Sequence, residues 1–133
     1  MAKKKMLSVP YAQYSMEMRS GRIINVDEGF EELLHYTKED VKGELNFKQI
    51  VPCVEYEEIV DELREVFITK RCACYQHGII RKDGKKVQVV SFFTIQNTLL
   101  NGHRVLEVSM AEITKFIENG MSIDALDEEC STK

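Results

Sequence analysis

"SGRIINVDEGFEELLHYTKEDVKGE", residues 20–44, holds a turn, a strand, two helix starts and a glycine stop. Ser20-Gly21 is a turn signal, and the "RIINV" after it reads as extended chain. Asp27 stands where a helix cap belongs, and Glu28 in the first turn suits the helix dipole. Phe30, Leu33 and Leu34 recur at helical spacing. Thr37 and Asp40 have the spacing of a capping box, with Asp in place of the usual Glu, and Gly43 ends that one-turn helix. A strand that runs straight into a cluster of short helices leaves the floor of a cleft rather than a helical bundle.

Upstream, Tyr14, Met16 and Met18 alternate with Ser15, Glu17 and Arg19, the pattern of a strand with one apolar face. Downstream, "NFKQIVP" predicts a short helical turn stopped by Pro52. A long helix follows, with Tyr56, Ile59, Val60, Leu63, Val66 and Phe67 in its apolar stripe. Glu57, Glu58, Asp61, Glu62 and Glu65 form its solvated face.

Three strands complete the chain, joined by two-residue turn signals at Asp83-Gly84 and Asn101-Gly102. Counting outward from the first turn sets Ile80 opposite Val87, Gly78 opposite Val89, Gln76 opposite Ser91 and Cys74 opposite Phe93. From the second, Asn97 faces Leu106, Ile95 faces Val108, Phe93 faces Met110 and Ser91 faces Glu112. Opposed residues share a face. The predicted core face is therefore Cys72, Cys74, Ile80, Val87, Val89, Phe93, Ile95, Val108 and Met110, crossed by a polar row of Gln76, Ser91 and Glu112. A loop longer by one residue swaps the faces. The other face carries Tyr75, Ile79, Val90, Phe92, Val105, Ala111 and Ile113, and a face this apolar wants a cover. The N-terminal segment and a second subunit are the two candidates.

A chain of 133 residues reads as one domain. Its 18 basic and 22 acidic residues give a net charge of −4, with Lys3, Lys4 and Lys5 the only basic block, so no nucleic-acid partner is expected. Cys53, Cys72, Cys74 and Cys130 form no CxxC pair and have no histidines at zinc spacing. No secretory signal or span of ~20 apolar residues is visible, which points to a reducing, cytoplasmic setting. A flanking membrane segment in a longer parent protein is compatible with this. Cys72 and Cys74 share one side of a strand and read as small core residues, a soft-metal pair being the alternative. His35, His77 and His103 read as surface or packing residues. No phosphate loop or Ser-His-Asp arrangement is found.

The element order and three motifs resemble the PAS domain family. "GRIINVDEGFEELLHYTKEDVKGE" is similar to the family's G-x-I-x-x-x-N-x-x-F-x-x-x-x-G-Y-x-x-x-E-x-x-G pattern. "RKDGKKVQV" resembles its R-x-D-G hairpin, and "VLEVSMAEITKF" its closing strand with a D-I-T ending. The departures are Asp27 for Asn, His35 for the glycine before the tyrosine, and Glu112 for the Asp of D-I-T. The resemblance covers residues 12–117, leaving 1–11 as an N-terminal segment and 118–133 as a linker toward an effector. It implies an α+β fold, a five-stranded antiparallel sheet with short helices and one long helix on one face. "LNFKQI" lacks the cysteine of the flavin-binding N-C-R-F-L-Q motif, and residues 55–70 lack the histidine of the haem-binding members. Neither cofactor is implied.

The expected function is a non-enzymatic sensor that binds a small ligand or dimerises, and controls an attached histidine kinase, diguanylate cyclase or transcription regulator. The expected ligand-lining residues are Phe47, Phe67, Cys74, Gln76, Ser91, Phe93, Val108 and Met110. Glu112 and Thr114 are the expected signal relay, and Tyr75, Val90, Phe92 and Ile113 the expected homodimer face. The alternatives are an interaction module with a filled core and a small cone-shaped α+β enzyme.

Overall fold

The computed structural model describes residues 11–114. The N-terminal residues 1–10, the expected domain end at residue 117, the linker 118–133 and Cys130 lie outside the described residues. The elements run β1 (Tyr11–Glu17), β2 (Ile23–Val26), α1 (Glu28–Leu34), α2 (Lys38–Lys42), α3 (Phe47–Ile50), α4 (Cys53–Thr69), β3 (Cys72–Ile80), β4 (Lys86–Leu100) and β5 (His103–Glu112). All strand pairs are antiparallel, in the order β2-β1-β5-β4-β3. The expected sheet is present, and the four helices fall between its second and third strands.

Side-chain caps set the short helices. Asp27 accepts from the Phe30 N–H at 2.8 Å and from the Gln13 N–H at 3.1 Å, so one carboxylate both starts α1 and ties it to β1. Thr37 and Asp40 form the expected capping box, and Asn46 and Gln49 form a second one on α3. Gly29 lets α1 lie directly on β1: a Cβ there would strike the main-chain carbonyl of Tyr11. Phe30 is then fully buried and meets the Tyr14 ring edge-on at 5.2 Å. His35 closes α1 with φ 68°, a left-handed conformation that glycine adopts without strain. The PAS pattern has glycine at this position, so the departure is a backbone cost accepted here.

The β3–β4 connection corrects the sequence reading. Arg81 N–H donates to the Lys85 carbonyl and Gly84 N–H to the Arg81 carbonyl, both at 2.8 Å. The loop is thus the three residues Lys82, Asp83 and Gly84, with Gly84 at φ 90°. One extra residue swaps the faces of β3. Phe93 pairs with Ala73, Ser91 with Tyr75 and Val89 with His77. Cys72, Cys74 and Gln76 are therefore exposed on the outer face rather than in the core, and Ile80 is only partly buried. Tyr75, expected outside, lies inward and tilts against Phe93 at 6.2 Å. Ile79, also expected outside, is fully buried in the core.

The β4–β5 turn is the two-residue Asn101-Gly102 signal, with Leu100 opposite His103. Between Ile95 and Leu99 the register then shifts by two residues, so Ile95 faces Leu106, Phe93 faces Val108 and Ser91 faces Met110. A shift of two preserves the faces. Val87, Val89, Phe93, Ile95, Val108 and Met110 are all buried, as expected. Glu112 pairs with Val89 rather than Ser91.

Helix α4 crosses the β3 edge of the sheet at its N-terminal end. Glu55 accepts from the Gly78 N–H at 2.8 Å and pairs with Lys86 at 3.1 Å. An acceptor on an otherwise unpaired edge amide blunts the edge. A Cβ on Gly78 would lie 3.0 Å from Glu55 Oε2 and 3.2 Å from Pro52 Cγ, so glycine permits this approach. Further along, only Ile59 and Leu63 of α4 are buried, while Tyr56, Val60, Val66 and Phe67 are half-buried.

Candidate functional site

Where α4 draws away from the sheet, a cavity of about 500 Å³ opens. Its helix wall is Tyr56, Val60, Leu63, Arg64 and Phe67, one stripe of α4. The sheet wall is Met16 at the end of β1, Met18 just past it and Leu106 near the start of β5. The β1–β2 turn adds Arg19 and Gly21, the β4–β5 turn adds Gly102, the first residues of β5 add His103 and Arg104, and Phe47 of α3 closes the inner end. Antiparallel pairing brings both turns to one end of the sheet, with Met16 opposite Leu106. Phe47 meets Tyr56 at 6.0 Å and Phe93 edge-on at 6.1 Å. A cavity of this size with an apolar floor is in the range of small-molecule sites.

Phe47 and Phe67 line the cavity. Phe93, Val108, Met110 and Ser91 lie in the filled part of the core, with Phe93 one ring behind the wall. Cys74 and Gln76 lie on the outer face, away from this space. The apolar stripe of α4 already marked Tyr56, Val60 and Leu63. Arg19, His103 and Arg104 are marked only by adjoining the two glycine turns.

The polar group inside the sheet is a histidine–serine pair. His77 and Ser91 are buried, and His77 Nε2 lies 2.8 Å from Ser91 Oγ. His77 Nδ1 lies 2.7 Å from the Gly78 carbonyl. A carbonyl only accepts, so Nδ1 carries the proton and Nε2 accepts from the serine hydroxyl. Burial holds the His77 pKa below its ordinary value, although the Gly78 carbonyl and Glu55 pull it upward. For Glu55, burial alone would raise the pKa, but the Gly78 N–H, Lys86 and His77 together outweigh it and bring it below the usual carboxylate value. The expected row of Gln76, Ser91 and Glu112 is thus a pair whose partner sits one residue along β3. Tyr14 adds a buried hydroxyl without a hydrogen-bond partner among the described residues, and burial raises its pKa.

On the outer face Val90 is half-buried and Phe92 is 55% exposed. Ile113 is buried within this chain and offers no surface. Beyond β5, Thr114 Oγ1 accepts from the Gln88 N–H at 2.9 Å and fastens the chain exit to β4. Among the described residues no cluster of three metal-ligating side chains occurs, and no helix is long and apolar enough to cross a membrane.

No family model matches the chain, and no curated protein matches it significantly. Solved structures do. The PAS domain of a protein from Colwellia psychrerythraea superposes with a TM-score of 0.68 at 22% identity, covering 80% of this chain and 89% of that one. A PAS domain from a two-component sensor histidine kinase gives 0.63 at 16% identity, over 77% and 84%. The PAS-B domain of Drosophila melanogaster Cycle, with bound ethylene glycol, gives 0.65 at 9% identity, over 76% and 98%. The chain has the PAS fold.

Proposed function

We propose that this chain is the sensory module of a signalling protein, taking up a small molecule beneath α4 and passing its occupancy through β5 to an attached effector. The observation that carries this reading is the cavity of about 500 Å³ under a helix that buries only two of its side chains. Leu106 touches the cavity, Val108 and Met110 follow it inward along β5, and Glu112 and Thr114 lie at the chain exit. A ligand that moves Leu106 acts on a strand whose end is held to β4 by the Ile113 N–H donating to the Gln88 carbonyl at 2.8 Å and by the side-chain hydrogen bond at Thr114. Such an attachment has two arrangements, held and released, as a switch requires. A histidine kinase, diguanylate cyclase or transcription regulator is the effector in this reading, in the cytoplasm, and the domain performs no catalysis itself.

Native mass spectrometry of freshly purified protein tests it. A co-purifying mass that disappears in Val60→Trp, which fills the cavity from a half-buried position, supports the reading. An apo mass only, together with no thermal shift from any member of a metabolite panel, refutes it.

One observation favours a dimerising role as well. Tyr11, Ala111 and Val90 align across three strands of the outer face beside Phe92, and Tyr11 and Phe92 are each more than half exposed. Apolar side chains in such a row suit a second copy. Light scattering reads this directly: a dimer that Phe92→Glu converts to monomer supports it, and a wild-type monomer at high concentration removes it.

A further inference from the structure

We infer that the cavity, taken as the sensory site above, selects an amphipathic anion: a carboxylate with a flexible apolar tail. The charge on its walls is one-sided. The whole chain has more acidic than basic residues, 22 against 18. The lining nevertheless holds Arg19, Arg64 and Arg104 with His103, and no Asp or Glu among the described residues. The arginines come from three separate elements: the β1–β2 turn, α4 and the β4–β5 hairpin. Arg19 and Arg104 make no side-chain ion pair or hydrogen bond among the described residues. Arg64 has only Asp61 at 3.9 Å, both side chains three-quarters exposed, a distance and exposure at which a pair contributes little.

All three are exposed, whereas Met16, Phe47, Leu63 and Leu106 are buried. The cations therefore ring the mouth and the apolar residues form the floor. Guanidinium groups match a carboxylate in geometry and form charge-assisted hydrogen bonds with it. Methionines at 16 and 18 adapt to an unbranched tail. A neutral apolar ligand leaves the cations unused, and a small polar anion leaves the floor unfilled. A cationic amphiphile meets like charge at the mouth.

Titration calorimetry and thermal shift on the full chain test this with decanoate, decanol and decyltrimethylammonium, which share a tail and differ in the head. Decanoate is expected to bind most tightly, decanol at least about tenfold more weakly, and the cation not detectably, tenfold being roughly what one charge-assisted hydrogen bond carries. Arg104→Gln and Arg19→Gln, at exposed positions that leave the core intact, should each weaken decanoate about tenfold and leave decanol unchanged. Raising the salt concentration should weaken decanoate alone. If decanol matches decanoate and neither variant alters either, the anion selectivity is overturned while the cavity remains a ligand site. If none of the probes binds and Val60→Trp responds to a metabolite panel as wild type does, both the selectivity and the sensory reading fall.

Discussion

Removing the Ser91 hydroxyl should damage the fold rather than ligand binding, and by an amount that the geometry sets. Ser91→Ala deletes the donor to His77 Nε2, a hydrogen bond of 2.8 Å between two buried residues. Losing a typical hydrogen bond costs about 1 kcal/mol, and stranding a buried acceptor brings the cost to about 1–3 kcal/mol. The cavity left by one hydroxyl is too small to add much. The ring is also held at Nδ1 by the Gly78 carbonyl and packs 6.3 Å from Phe93, so it cannot swing out to reach water. Urea denaturation at pH 7.5 should show a lower midpoint with an unchanged m-value. His77→Phe in the same background distinguishes a stranded acceptor from general loosening. It removes the acceptor and keeps an aromatic ring beside Phe93, so the double variant should recover part of the loss, short of wild type because the Gly78 carbonyl loses its donor. A Ser91→Ala cost under about 0.5 kcal/mol, or a double variant no better than the sum of the two singles, refutes the pair as drawn.

Gly29→Ala should destabilise the protein by about 1–3 kcal/mol, because the clash with the Tyr11 carbonyl outweighs the ~1 kcal/mol that alanine gains in a helix; a rise in the denaturation midpoint refutes the close approach. His35→Gly should stabilise by about 0.5–1 kcal/mol by relieving the left-handed residue, since the contact it gives up, Arg81 to His35 Nδ1 at 3.1 Å, is exposed and Arg81 keeps Asp83 at 2.9 Å. Denaturation midpoints read this too, and a loss would show that the histidine contact dominates. For His77 the folded pKa lies below the ordinary 6.5, so the unfolded chain takes up a proton that the folded chain resists. Stability is then complete above pH 6.5 and is lost as pH falls from there toward the folded pKa, by at most about 1.4 kcal/mol per unit. The drop between pH 7 and 5.5 should vanish in His77→Phe; Glu55, Asp40 and Asp83, with lowered pKa values, act only at more acid pH.

The parts of the fold legible in the sequence are those fixed by neighbours within a few positions. Asp27 and Thr37 cap helices because an oxygen reaches an N–H three residues on, and the stripe from Tyr56 to Phe67 follows from the helical period alone. Strand register is different, because it is inherited from a loop. "RKDGK" admits a two-residue or a three-residue connection, and the choice rests on contacts distant in sequence. Lys82 N–H donates to the Leu34 carbonyl at 2.9 Å, and its ammonium pairs with Asp40 at 3.0 Å, so the hairpin tip is held against α1 and α2. That docking selects the longer loop, and the single added residue moves Cys74 and Gln76 out and Tyr75 and His77 in. The two-residue shift in β4 is as large a departure in pairing, yet it leaves every inward residue inward.

The same distinction explains why the cavity was half visible. Its helix wall is periodic and could be read from residue spacing; its mouth is assembled from two turns some eighty residues apart in the chain, brought together only by β1 pairing with β5. Neither Arg19 nor Arg104 has a motif around it, and each by itself reads as a solvated residue in or beside a turn. Pairing Met16 with Leu106 puts Arg19 and Arg104 at one end of the sheet, and α4 brings Arg64 to the same place. Three like charges so gathered repel one another, and without a binding partner they weaken the fold. An anion at the mouth relieves that repulsion, so ligand binding should hold α4, the described element with the fewest buried side chains for its length, more firmly in place.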